Sequence, residues 1–106
     1  MNEEDNMKSI KYLSEQIHEE LEDAEKYAKA ALYNKHLDPE LSRVYAELSR
    51  QELAHSDMLH NQAVRLIKAE REKGVEPPAS MQAVWDWQHE KMIDHTAKIK
   101  MLLSGM

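Results

Sequence analysis

The chain has no cysteine and no phenylalanine, only 2 glycines and 3 prolines, and no apolar run near the length of a bilayer span. Each absence removes a class of protein. Without cysteine there is no disulfide framework, no zinc ribbon, no iron–sulfur cluster and no thiol chemistry. A transmembrane helix needs about 20 consecutive apolar residues, and no stretch here approaches that. Basic charge is also scarce. The 14 Lys and Arg against 20 Asp and Glu leave a net charge of −6, the wrong sign for a nucleic-acid binder, which usually presents a basic face. The opening Met1-Asn2-Glu3-Glu4-Asp5 is acidic and polar, the opposite of a secretory or transit signal. The expected compartment is the cytoplasm.

What is present is helix-forming. Ala, Glu, Lys, Leu and Met dominate a chain of 106 residues, 42% apolar and 32% charged, a composition that favours helix throughout. The length allows one domain, residues 1–106, with a modest core if the chain stays monomeric. The expected fold is all-α. Residues 1 to 6 read as a frayed acidic lead-in with Asp5 or Asn6 available as an N-cap. A first helix is expected over about 7–35, with Ile10, Leu13, Ile17, Ala24, Tyr27, Ala28 and Ala31 spaced three and four apart. Asp38-Pro39-Glu40 then starts a second helix with a capping residue, a proline in the first turn and an acid at the positive end of the dipole. It runs to about Lys73, where Gly74 and Pro77-Pro78 end it. A third helix is expected over about 79–103, with Met81, Trp85, Met92, Ile99 and Leu103 on its stripe and His89 and Thr96 within it. The short first loop makes helices one and two an antiparallel hairpin.

Helix two carries the conflict that points to function. Leu41, Tyr45, Leu48, Leu59 and Leu66 share a stripe, and Glu52 and His55 fall in its middle. A carboxylate and an imidazole occupy slots where the pattern asks for Leu, and an unpaired buried charge costs several kcal/mol. The spacing E-x-x-H is weak alone, since 14 Glu and 6 His supply roughly one chance match. The chain has two. Glu15/His18 lies largely off the seam of helix one and reads as surface; Glu52/His55 lies at the centre of helix two's. Glu20 is the one charge on the helix-one seam. It stands about 16 residues before the loop, and Glu52 and His55 about 13 and 16 after it, so all three should meet within one helical turn at about 1.5 Å per residue. His89 reads as a core histidine, and the 7 methionines, scattered over three helices, read as packing.

Glu20, then Tyr27 seven residues on, then Glu52-x-x-His55 on the antiparallel partner resembles the first half of a ferritin-like carboxylate protein. With one such set in the chain, the resemblance is to the half-size ferritin-like proteins, including the encapsulated ferritins, which pair two hairpins into a four-helix bundle. Glu19-Glu20-Leu21-Glu22 and Asp38-Pro39-Glu40-Leu41 look like that branch too. The resemblance spans about residues 10–66. It implies a bundle completed by dimerisation, at least a homodimer with a higher homo-oligomer left open, and a di-iron site shared between subunits. Glu20, Glu52 and His55 would be both ligands and catalytic residues, Tyr27 would sit behind them, and Glu19 and Glu22 would lie on the path by which metal reaches the site. The implied activity is ferroxidation, Fe(II) to Fe(III), by dioxygen or peroxide. No encapsulin-directed extension follows Leu103, and the third helix is longer than that branch leads one to expect, so a capsid partner is not implied.

Two other readings stay open. Glu and His ligation does not separate iron from manganese. A buried layer of Glu and His also sets pairing register in helical interaction modules that do no chemistry.

Overall fold

A computed structural model describes residues 3–74 and 76–106. They form three helices, α1 (Glu3–Asn34), α2 (Pro39–Glu72) and α3 (Ala79–Ser104), with no strand among the described residues. The all-α expectation holds. The expected helix limits match the observed ones to within a residue, except at the start of α1. There the reading is corrected: Met1 and Asn2 lie outside the described residues, but Glu3 to Asn6 are already helical. Asn6 is no cap. It is 3% exposed, and its amide donates to the buried Glu70 of α2. A tertiary contact anchors that first turn, and no local signal announces it.

The other ends follow local chemistry. The Asp38 carboxylate accepts from the Leu41 amide at 3.1 Å, and the Asp38 carbonyl from the Ser42 amide at 2.9 Å. Pro39 occupies the first turn, where its missing N–H costs nothing. At the far end Gly74 adopts φ 79°, the left-handed conformation a side chain resists, and its amide caps the Arg71 carbonyl at 2.9 Å. Pro77-Pro78 then separate α2 from α3.

The seam of the hairpin is not the one the leucines suggest. Most of the buried residues of α2 are small, Ser42, Ala46, Ser49, Ser56 and Ala63, and so are Ala24, Ala28 and Ala31 of α1. Small side chains let two helices approach closely. α2 then reaches the backbone of α1: the Ser42 hydroxyl donates to the Ala31 carbonyl at 2.6 Å and the Ser49 hydroxyl to the Ala24 carbonyl at 2.7 Å. The expected stripe of Leu41, Tyr45, Leu48 and Leu59 flanks this seam instead, half-buried or exposed, and Leu66 alone of that set is buried.

The third helix packs chiefly along one flank of the hairpin, against α1. Ile99 is fully buried beside Leu21, Ala24 and Ala28, with Met92, Leu102 and Leu103 around it. Leu21, 1% exposed, is the largest buried side chain of α1. A polar clasp lies alongside. Glu25 of α1 takes His95 at 3.1 Å and Lys98 at 3.0 Å from α3, and Lys29 at 3.1 Å from its own helix. The opposite flank of the hairpin carries no third helix.

Candidate metal centre

On that uncovered flank Glu20, Glu52 and His55 converge. Glu20 lies five residues from Glu25, about 140° round α1 at 100° per residue, so one carboxylate faces α3 and the other faces away. On α2, Glu52 and His55 are three apart and project side by side. The Glu20 Oε2 stands 3.5 Å from His55 Nδ1, and the Glu52 Oε1 stands 3.8 Å from the same nitrogen. One donor atom from each residue lies within 4.8 Å of the others. Ligands round a single ion at about 2.1 Å sit roughly 3 Å apart, so a small rotation of the outer torsions brings these three into a ligand set.

The electrostatics are unbalanced. Two carboxylates face one imidazole, and the Glu20 Oε2 is buried with no hydrogen-bond partner among the described residues. The Glu20 and Glu52 side chains are 29% and 20% exposed, while that of His55 is 53% exposed. The cluster is therefore walled on the protein side and open outward. Two carboxylates with one imidazole are donors that divalent iron, manganese and zinc accept.

The other expected residues fall as follows. Tyr27 stacks on Tyr45, ring centroids 6.2 Å apart, and hydrogen-bonds to none of the three. Tyr45 was a stripe residue in the sequence; its role beside Tyr27 was readable from spacing, because it precedes Glu52 by seven residues as Tyr27 follows Glu20 by seven. Glu22 pairs with His18 at 3.0 Å on the exposed side of α1, about 160° round the helix from Glu20. Glu19 lines a cavity between α1 and α3. Neither adjoins the cluster. Glu15 is exposed, as expected of a surface residue.

One titratable pair escaped the sequence reading in part. His89, expected in the core, is half-buried, and its ring stacks on that of His60, which no pattern singled out. His60 lies five residues beyond His55 and turns toward α3. Neither a family model, nor a curated protein, nor a solved structure matches the chain, and the site is read from its residues and their geometry.

Proposed function

We propose that the protein is a ferroxidase-type di-iron carboxylate protein whose site is shared between two subunits, in the manner of a half-size ferritin-like protein. The observation that carries this reading is the cluster itself: three donors from two helices within 4.8 Å, with a negative surplus and a buried carboxylate oxygen that has no hydrogen bond among the described residues. Three donors leave an ion under-coordinated. A second copy packed on the uncovered flank supplies three more, giving four carboxylates and two imidazoles, and the four negative charges offset two divalent ions. The flank suits such packing, because Leu41 (38% exposed) and the half-buried Leu13, Tyr27, Tyr45 and Leu48 share the Glu20 and Glu52 faces of their helices.

Iron is the substrate in this reading. Glu20, Glu52 and His55 hold Fe(II), and Glu52 is the bridging candidate. Each of two Fe(II) gives up one electron; the pair together reduces dioxygen to hydrogen peroxide with uptake of two protons, or peroxide to water. The carboxylates stabilise the higher charge of the ferric product more than that of the ferrous substrate, which favours oxidation. Glu19 and Glu22 are exposed acids that raise the local concentration of cations. A manganese or mixed-metal relative uses the same donors. As a non-enzymatic module, the chain would use the same His55 contacts to fix helix pairing.

The test is oxidation of Fe(II) in air. Two Fe(II) per dimer should yield ferric absorbance faster than buffer alone, with the rate saturating near that stoichiometry. Glu52→Ala and His55→Ala remove ligands and should cut the rate by about 100-fold or more, while Glu15→Ala and His18→Ala should leave it unchanged. Equal losses from both pairs, or a metal-loaded monomer in sedimentation at micromolar concentration, would refute the shared site.

A further inference from the structure

His60 and His89 take no part in the chemistry proposed above, yet they join α2 to the first half of α3. Their rings stack with centroids 5.1 Å apart, and Trp85 lies 6.4 Å beyond His89 at a similar tilt. The three rings form a column beside a cavity of about 660 Å³ whose remaining wall is α1. The His60 Nε2 is buried and has no hydrogen-bond partner among the described residues.

We propose that this column is an acid-released latch: protonation of His60 detaches the first half of α3, which carries Trp85 and Trp87, while its second half stays docked. A neutral imidazole stacks on the His89 ring 5.1 Å away, but so enclosed a position denies an imidazolium its hydration. Burial first, and then His89, push the His60 pKa below its ordinary value; Asp57, one turn earlier on α2, pulls the other way.

The other charged groups round the cavity do not offset this. From α1 come Glu15, His18 and Glu19, and from α3 Lys91 and His95. His18 is taken by Glu22 and His95 by Glu25. Lys91 lies 3.9 Å over the Trp87 ring and adds positive charge on that side. Glu15 and Glu19 are exposed, and neither hydrogen-bonds to His60 or His89. The sign follows from linkage. The released segment binds protons more readily than the docked one, so docking is at full strength above 6.5 and weakens as pH falls below it. The second half is held differently. Ile99 is fully buried, and Glu25, its carboxyl held down at about 2 by Lys98 and Lys29, keeps its partners through the same range.

The chain's 2 tryptophans both lie in the releasing half, so the intact protein reports its own latch. Between about pH 7.5 and about pH 5, tryptophan emission should move to longer wavelength and amide protection over residues 81–92 should fall at least about tenfold, while residues 96–103 keep theirs. His60→Phe leaves a ring in the column but no charge to gain. It should flatten both signals, and His18→Ala should leave the wild-type transition in place. A wild type without the transition, a His60→Phe variant that retains it, or equal loss of protection in both halves overturns the proposal. Should a Phe variant fail to fold, ring-proton titration of the wild type decides. A His60 midpoint below the ordinary value, in step with loss of protection over 81–92, supports the latch; a midpoint at the ordinary value overturns it.

Discussion

Two contacts between Glu and His tie neighbouring helices in this chain, and they are built on opposite balances of charge. Glu25 sits among His95, Lys98 and Lys29, one carboxylate to three groups that carry or can gain positive charge. Its carboxyl is held down at about 2, by Lys98 first and then Lys29. Glu20 and Glu52 share the single imidazole of His55. The first cluster is satisfied from within the chain, and the second carries surplus negative charge and a buried oxygen with no hydrogen bond among the described residues. A Glu near a His therefore says little by itself. The local sum of charge says whether a cation from outside is wanted.

The largest expected effect separates the two clusters by metal-linked stability. A redox-silent divalent ion such as Zn(II), at about 100 times its dissociation constant, should stabilise the protein by about 3 kcal/mol in calorimetric melts. Glu20→Leu and Glu52→Leu should abolish that gain while keeping or raising the melting temperature of the metal-free protein, since crowded carboxylates no longer repel. Glu25→Gln should retain the whole gain, and its loss there would erase the contrast between the clusters.

A smaller effect belongs to the clasp. Glu25→Gln should cost about 1 kcal/mol in urea melts near neutral pH, the scale of a solvent-screened charge cluster. Because its folded pKa is depressed, the clasp's contribution is fully present above 4.5 and is lost as pH falls from 4.5 toward about 2. Wild type and Glu25→Gln should accordingly converge in stability at the acid end of that window. A difference that instead grows with acid would mean that Glu25 is not the ionised centre of the clasp.

The smallest effect concerns Glu19 and Glu22. Replacing either with Ala should slow iron uptake by about twofold at low ionic strength, and the difference should shrink as salt screens the surface field. Final occupancy should not change. A lowered occupancy would make them ligands, against their position away from the cluster.

That Glu20, Glu52 and His55 come together was legible in the sequence, because it depends on quantities the sequence carries directly. A 3.6-residue period puts Glu52 and His55 on one face, and equal distances from a short loop put Glu20 at their level. Both inferences survive modest errors in helix limits. The core was less legible. The large side chains Leu41, Tyr45 and Leu48 looked like the seam, while the helices in fact meet along Ser42, Ser49 and Ser56, whose polarity hides a packing role. Leu21 was missed as a core residue because α1 has two partners, and a reading with one stripe per helix finds only one of its faces. The first turn of α1 was missed because Asn6 is ordered by Glu70, a residue 64 positions away. His60 was missed for the same reason, as its partner His89 belongs to another helix.

The serine bonds across the hairpin have a geometric consequence. Ser49 lies three residues before Glu52, and Ala24, whose carbonyl it holds at 2.7 Å, lies four residues after Glu20. That bond stands about one turn from the donors, and Ser42 repeats it a heptad further toward the loop. Leucines interdigitating across a seam tolerate a small axial slide, because dispersion contacts are numerous and undirected. A hydroxyl committed to one carbonyl does not. A slip of one turn, about 5.4 Å, would break both bonds and carry Glu20 out of reach of its partners. The two serines thus act as the teeth of a ratchet, and the alignment of the three donors is indexed by a part of the molecule that never touches them.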